Sequence, residues 1–199
     1  DKLVLRFNTH LKQWKESFSA EVFYRRLIAC LFYAIINNLI PNLQHLEKTI
    51  LKKANSLNNI VKTGRTHLMD AMPIRFDQEL GTWAAQINSS IARLTSCLAR
   101  LTVLPQGGTA IGTGINAHPD FAHKFCQYLS ESTKIQFTPN RCLFEGIASQ
   151  DAAVETSGQL KTLAVSLLKI SNDLRFMNSG PLAGFAVISL PALQPGSSI

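Results

Sequence analysis

The sequence lacks the clustered cysteines and histidines that bind structural metals. Its 199 residues contain no Cys-x-x-Cys motif and no histidine pair at zinc-finger spacing. His118 and His123 are five residues apart and do not share a helix face. The four cysteines are scattered: Cys30, Cys97, Cys126 and Cys142. We therefore expect no metal site, free thiols, and a reducing compartment such as the cytoplasm, or the mitochondrion in a eukaryote.

Blocks of like charge and long apolar runs are also absent. The net charge is +7, yet no run reaches five like charges, so the concentrated basic stripe of a nucleic-acid-binding protein is missing. We interpret the charge as a solvated surface, with mild attraction of an acidic substrate as the alternative. The longest apolar stretch, from Leu27 to Ile36, ends at Asn37 and is shorter than the ~20 residues that span a bilayer. We expect neither a nucleic-acid nor a membrane partner.

Long helical periodicity is what the sequence does contain. One stripe recurs in steps of three and four residues and predicts a helix of roughly 40 Å. Its members are Phe76, Leu80, Trp83, Ile87, Ile91, Leu94, Leu98 and Leu101. A second stripe predicts a helix over Asp151 to Met177. Its members are Leu160, Leu163, Leu167, Ile170 and Leu174.

Two further helices are predicted. A segment from Leu27 to Leu57 should be kinked or restarted at Pro41, and a shorter helix should follow Pro119, placed as its first residue. No strand–helix alternation accompanies them. The predicted fold is therefore all-α, with long antiparallel helices in a bundle that subunits share. Phe185 to Leu190 could add one short extended piece.

A Thr-His pair is the main candidate for chemistry. Thr66 and His67 belong to Val-Lys-Thr-Gly-Arg-Thr-His-Leu-Met-Asp-Ala-Met-Pro, residues 61–73. We expect a loop from Thr63 to Pro73, with a glycine-led turn, between two helices. Gly64 permits an unusual backbone angle, Arg65 offers a fork for a carboxylate, and Asp70 can cap the next helix. Taken alone, the histidine would more simply brace a helix start.

A glycine-rich segment, Gly107 to Gly114, suggests a phosphate loop but does not fit one. A Walker loop needs Lys-Ser or Lys-Thr after its last glycine, where Ile115 and Asn116 stand. A dinucleotide fingerprint needs a preceding strand that the pattern does not predict.

These segments resemble class II fumarase, of the fumarase/aspartase superfamily. Residues 61–73 are similar to its active-site loop and 107–116 to a tight scaffold turn near that site. Pro-Gly-Ser-Ser-Ile, residues 195–199, is similar to the opening of the superfamily's signature loop. The resemblance implies the central helical bundle of a homotetramer, with each active site built from three subunits. It also implies reversible hydration of fumarate to L-malate by anti addition of water, without metal or organic cofactor.

The resemblance assigns roles to four residues. Thr66 holds a substrate carboxylate, and His67 orients the active-site water and takes part in proton transfer. Ser197 removes the proton next to the carboxylate, and Ser198 touches substrate. A serine acts as a base only if its alkoxide is stabilised, which the backbone N–H groups of a Gly-Ser-Ser turn can provide.

The resemblance covers residues 27–199 and fails upstream. Ala20 stands where fumarases have a substrate-binding asparagine, so we interpret residues 1–26 as a degraded or out-of-frame segment. Smaller departures are Asp77 for a usual glycine and Val187 for a usual glutamate. The printed chain stops at Ile199, before the lysine and asparagine of the signature loop. We therefore interpret the chain as an internal fragment whose site other subunits and missing segments complete.

Two alternatives remain open. A catalytically dead remnant or structural helical subunit would explain Ala20 and the truncation. An aspartase-type ammonia-lyase would prefer glutamine at His67, and argininosuccinate lyases keep Thr-His but differ at Arg65 and at Asp70-Ala71.

Overall fold

The computed structural model describes Ile28 and residues 30–191, most of them helical. These residues form two compact units, 28–39 with 98–153 and 40–97 with 154–191. The α-helices with both ends described are α1 (Ile40–Ser56), α2 (Phe76–Leu101), α3 (Phe121–Thr133), α4 (Leu143–Ala148) and α5 (Asp151–Met177). The strands are β1 (Val61–Thr66), β2 (Met69–Arg75), β3 (Val103–Leu104) and β4 (Thr138–Pro139).

Some predictions fall on residues outside this description. Residues 1–26, Ser197 and Ser198 are among them, so the degraded segment and the two serine roles stay predictions. The predicted start of the helical domain at residue 27 also lies outside the described residues and stays a prediction.

Helix α2 confirms the first apolar stripe. Its 26 residues span about 39 Å at 1.5 Å per residue. Every predicted stripe member except the half-buried Ile91 is buried, with an exposed fraction of 7% or less. Ile87 and Leu94, one heptad apart, are fully buried. The three-and-four spacing therefore marks the face on which this helix packs.

Helix α5 confirms the second prediction and runs antiparallel to α2. Its buried residues are Thr156, Leu163, Ile170 and Met177, spaced by heptads. Near its start, the hydroxyl of Thr156 lies 3.6 Å from the sulfur of Cys97, late in α2. At its end, the sulfur of Met177 lies 3.4 Å from the Lys62 ammonium, which also pairs with Glu79 in the first turn of α2.

Helix α1 is antiparallel to α2 and less completely covered. The amide nitrogen Nδ2 of Asn88 donates to the Glu47 carboxylate over 3.0 Å, and the Phe76 N–H donates to the Ile60 carbonyl over 2.9 Å. Leu43 is buried, whereas Leu46 and Leu51 are 36% and 42% exposed. The long antiparallel helices predicted from the sequence are therefore present, with apolar side chains left on the surface.

The predicted irregularity at Pro41 is confirmed. A π-helical turn over Ile35–Leu39 precedes α1, and Pro41 occupies the first turn of α1. Proline lacks the N–H that would continue an α-helical ladder back to residue 37, so the turn widens before it.

The unit formed by residues 28–39 and 98–153 contains α3, α4 and one short parallel pair. The Thr138 N–H donates to the Thr102 carbonyl over 3.0 Å, and β3 pairs with β4. Phe137 is 2% exposed, and its ring centroid lies 6.3 Å from that of Phe32. Cys126 is the buried residue of α3, while Phe121, Phe125 and Leu129 are half-buried.

Two local predictions about helix starts and strands are wrong. Pro119 precedes the N-cap residue Asp120, so it is not the first residue of α3; Asp120 makes no side-chain capping bond. The Asp120 N–H instead donates to Nδ1 of His118 over 3.2 Å. Phe185 to Leu190 forms no strand.

The glycine-rich segment is irregular and closely packed, as a scaffold should be. Gly112 has a φ of 107°, and a Cβ there would lie 2.6 Å from the ring of Phe144. A side chain at this position would meet both backbone strain and a clash.

Two findings bear on the partner and thiol predictions. Among the helices within the described ranges, none is both long enough and apolar enough to cross a membrane. All four cysteines are described, and none of them forms a disulfide.

Replacing Gly81 in α2 or Gly158 in α5 with alanine should stabilise the chain. A Cβ at either position meets nothing within 4 Å, and alanine is favoured over glycine inside a helix by roughly 0.5–1 kcal/mol. Urea denaturation would measure the gain, with Gly112→Ala as a destabilised comparison. A loss of stability at Gly81 or Gly158 would contradict the open surface described here.

Candidate functional site

The Thr-His pair lies at the tip of a β-hairpin. β1 and β2 pair antiparallel, with Thr66 opposite Met69, and His67 and Leu68 form the connecting turn. Their φ angles are 52° and 63°, and two successive positive values are typical of a type I′ turn. The predicted loop from Thr63 to Pro73 is therefore a hairpin, and its turn is His-Leu rather than glycine-led.

Gly64 has a different role from the one predicted. It falls at an irregularity in the pairing between Thr63 and Arg65, and its φ is not positive. A Cβ on Gly64 would lie 2.6 Å from the carbonyl oxygen of Met72 on the opposite strand. Glycine is needed here for close strand approach at a bulge, not for an unusual backbone angle.

The tip of the hairpin is open to solvent. Thr66 and His67 are exposed, and their neighbours Leu68 and Met69 are 60% and 71% exposed. Type I′ turns favour Asn-Gly, and a leucine at positive φ carries backbone strain. The chain thus holds an accessible hydroxyl at the end of β1 and an accessible imidazole on the next residue, in a strained turn.

The base of the hairpin is held by Lys62. Its ammonium pairs with Glu79 of α2, and the two side chains are only 10% and 21% exposed. The same nitrogen lies 5.3 Å from the ring centroid of Phe76 and 3.4 Å from the sulfur of Met177. A shielded charge needs such partners, so the base of the hairpin is fixed to the start of α2 and the end of α5.

The junction between β2 and α2 is stabilised by Arg75, Asp77 and Gln78. The Arg75 backbone N–H donates to Oε1 of Gln78 over 3.0 Å, which is half of a capping box. The Arg75 guanidinium makes two 2.8 Å hydrogen bonds to the Asp77 carboxylate. Asp70 lies on β2 and pairs with Arg65, so the prediction that Asp70 caps this helix is wrong.

The Arg75–Asp77 contact has an electrostatic consequence. The hydrogen bond from Arg75 holds the pKa of the Asp77 carboxyl below its usual value, and the same bond raises the pKa of Arg75. A carboxyl whose pKa is lower in the folded state contributes stability above its unfolded pKa, and this contribution is lost as pH falls through the folded pKa. Asp77 therefore forms a local ion pair at the start of α2.

Arg65 is engaged within the chain. Its guanidinium carbon lies 4.5 Å from the ring centroid of Phe185, and its Nε lies 3.1 Å from Oδ1 of Asp70. The guanidinium that the sequence offered to a substrate carboxylate thus already has two partners.

A shallow groove lies beside the hairpin base. Its volume is about 330 Å³, and it is lined by Val61, Lys62, Thr63, Ala71 and Pro73. Neither Thr66 nor His67 lines it, so this groove is not the predicted site.

The structure brings together two of the four predicted site residues. Thr66 and His67 share the hairpin tip, while Ser197 and Ser198 lie outside the described residues. Sequence reasoning missed Lys62, Glu79 and Phe185, which hold the hairpin. No local signal marks them, because a lysine and a glutamate are ordinarily solvent-exposed.

Comparison with known proteins identifies the family. A family model described as lyase matches residues 26–199. The chain belongs to this lyase family. It is 59% identical over 166 residues to the class II fumarate hydratase of Xylella fastidiosa strain Temecula1, covering 83% of this chain and 35% of that protein. It is 41% identical over 192 residues to the class II fumarate hydratase of Thermus thermophilus, covering 96% of this chain and 41% of that one.

A solved structure agrees with these sequence matches. The class II fumarase of Schistosoma mansoni superposes with a TM-score of 0.82 at 32% identity, covering 88% of this chain and 39% of that one. The all-α prediction and the resemblance to class II fumarase are therefore confirmed. This lyase chain spans between 35% and 41% of the length of the fumarate hydratases above.

Replacing Gly64 with alanine should destabilise the chain by roughly 1–3 kcal/mol, the usual cost of overpacking. The new Cβ would force β1 away from Met72. Denaturant unfolding measures the loss, and Gly81→Ala, where a Cβ has open space, is the matched control. Equal stability of the two variants would contradict the close strand approach.

Replacing Leu68 with glycine should stabilise the chain by up to about 1 kcal/mol, because glycine adopts positive φ without strain. Leu68 is 60% exposed, so little packing is lost. Met69→Gly is the matched control: Met69 is 71% exposed but lies in a strand, where glycine should destabilise. Thermal unfolding measures both variants. If Leu68→Gly and Met69→Gly change the stability in the same direction, the turn is not strained.

Proposed function

We propose that this chain supplies the Thr66–His67 tip to a fumarate hydratase site, for the reversible hydration of fumarate to L-malate by anti addition of water. One observation carries the proposal. An accessible Thr-His pair lies on a hairpin whose base is fixed, in a chain 59% identical to a fumarate hydratase.

Thr66 binds substrate in this proposal. Its hydroxyl donates a hydrogen bond to one carboxylate of fumarate or malate, and Ser198 contacts the substrate as well. The hairpin supports this role, because its paired strands and fixed base hold the backbone of Thr66 and His67 at the tip. The net charge of +7 attracts a dicarboxylate weakly and without specificity.

Ser197 and His67 move the protons. In the direction of dehydration, the Ser197 alkoxide takes the proton from the carbon next to a carboxylate, and the electron pair passes into that carboxylate to form an aci-carboxylate. The neighbouring C–O bond then breaks, and the hydroxyl group leaves as water after receiving a proton on the side of His67. Stabilising the doubly charged carboxylate should be the largest catalytic contribution.

A homotetramer completes the site in this proposal. Apolar side chains on the outer surface of α5 support assembly: Val154, Val165 and Leu168 are 69%, 57% and 61% exposed. Met72 on the hairpin is 78% exposed. Segments beyond this chain and loops of other subunits would supply the remaining substrate contacts, and the cytoplasm is the expected location.

A chimera tests the function. Residues 27–199 replace the matching segment of the Xylella fastidiosa fumarate hydratase, and the loss of fumarate absorbance is followed. We expect turnover by the chimera, and a roughly 10²–10⁴-fold lower kcat after His67→Gln or Ser197→Ala, the usual contribution of general acid–base groups.

His45→Gln is the matched control, since His45 is an exposed histidine on α1 away from the hairpin. It should leave kcat unchanged. Full activity of the His67→Gln chimera would reject the role of His67. A folded but inactive chimera would favour a catalytically dead remnant, and ammonia-dependent turnover would favour an aspartase-type lyase.

A further inference from the structure

The side chain of Arg65 connects the hairpin to the segment that follows α5. Its guanidinium carbon lies 4.5 Å above the ring of Phe185, within the range of a cation–π contact. Its Nε also lies 3.1 Å from Oδ1 of Asp70, as an ion pair without the alignment of a hydrogen bond. The Arg65 side chain is 23% exposed, so the planar group is held by an aromatic face and a carboxylate.

Phe185 is itself fixed. Its backbone N–H donates to the hydroxyl of Ser179 over 3.0 Å, and its ring centroid lies 6.4 Å from that of Phe176 in α5. The next residue, Ala186, donates its N–H to the Ser179 carbonyl over 2.9 Å. The ring under Arg65 therefore belongs to a folded turn.

The segment 178–190 closes on the end of α5. The Leu190 N–H donates to the Asn178 side-chain oxygen over 2.8 Å. The N–H groups of Val187 and Ile188 both donate to the Met177 carbonyl, over 2.8 and 3.1 Å. Both ends of the segment are thereby tied to the helix end, and in sequence it leads on to Ser197.

We propose that Arg65 is a positioning residue, which with Phe185 fastens the Thr66–His67 turn to the segment 178–190 that follows α5. The positioning role rests on the proposed function, whereas the contact between Arg65 and Phe185 does not depend on it. Arg65 adjoins Thr66, and Phe185 belongs to the segment that precedes the serines. This clamp, the contact of Arg65 with Phe185 and Asp70, thus holds the residue next to Thr66 against a folded turn at the end of α5.

Tryptic cleavage of the full chain tests the clamp without relying on catalysis. Trypsin must withdraw the Arg65 side chain from Phe185 before it cuts the Arg65–Thr66 bond. Phe185→Leu keeps an apolar side chain but removes the aromatic face, and should raise the cleavage rate roughly two- to fivefold, as expected for a surface cation–π contact. Phe185→Tyr should restore the original rate.

Two controls separate this effect from general loosening. Leu182→Ala changes an apolar residue of the same segment that is 98% exposed, and should leave the rate unchanged. Cleavage after Arg93, in α2, reports global unfolding. If Phe185→Leu accelerates cleavage at both sites equally, Asp70→Asn is measured next, because it removes the carboxylate partner of the guanidinium and leaves Phe185 in place. Faster cleavage after Arg65 alone then supports the clamp, and an unchanged rate overturns it. The clamp would be overturned if Phe185→Leu left the rate of cleavage after Arg65 unchanged. It would also be overturned if Leu182→Ala accelerated that cleavage as much as Phe185→Leu does.

The positioning role has its own readout. Phe185→Leu should shift the His67 imidazole resonances in NMR spectra of the full chain, and Phe185→Tyr should return them. In the chimera, Phe185→Leu should lower kcat with little change in KM, since a misaligned tip loses transition-state contacts more than ground-state binding. Unchanged His67 resonances, or unchanged kcat in an active chimera, would overturn the role. A parent chimera without turnover would reject the proposed function, and the cleavage and NMR results would still decide whether Arg65 holds the hairpin tip.

Discussion

The ammonium group of Lys62 lies where β1, the start of α2 and the end of α5 meet. With a side chain only 10% exposed, it has little water and depends on the Glu79 carboxylate, the Phe76 ring and the Met177 sulfur. These partners come from α2 and α5, the two long helices whose buried faces pack in the unit of residues 40–97 and 154–191. Because a shielded charge without a counter-charge is costly, packing of the helices and placement of the hairpin depend on each other.

The two ends of the hairpin differ in a way that suits a functional site. The base is paired and shielded, while the tip is exposed and holds His67 and Leu68 at positive φ. Strain of this kind persists only where the surrounding structure enforces it, here the strand pairing, the bulge at Gly64 and the contacts of Arg65. Catalysis benefits from groups positioned before substrate arrives, because no reorganisation is then needed during the reaction.

The long helices could be predicted from the sequence because their signal is local. Spacings of three and four residues place Leu80, Ile87 and Leu94 on one face whatever that face contacts, and all three are buried. The hairpin could not be predicted. Thr-Gly-Arg-Thr-His-Leu has no apolar–polar alternation, and His-Leu is not a favoured I′ pair. Its strands are largely exposed, so burial leaves no pattern in the sequence.

By itself, the sequence determined which long segments are helical, where Pro41 interrupts one of them, and which family the Thr-His and glycine motifs belong to, although it did not predict the short helix α4. The tertiary structure decided that the predicted loop is a hairpin and that the Lys62 side chain is shielded from solvent. It also decided that the Arg65 guanidinium contacts the Phe185 ring instead of being free to bind a carboxylate. The physical reason is range. A helical face is set by neighbours within two turns, whereas Lys62 and Arg65 contact Met177 and Phe185, which are far away in sequence and are brought near only by the packed helices. The hairpin is local, but its sequence carries no favoured turn pair and no alternation.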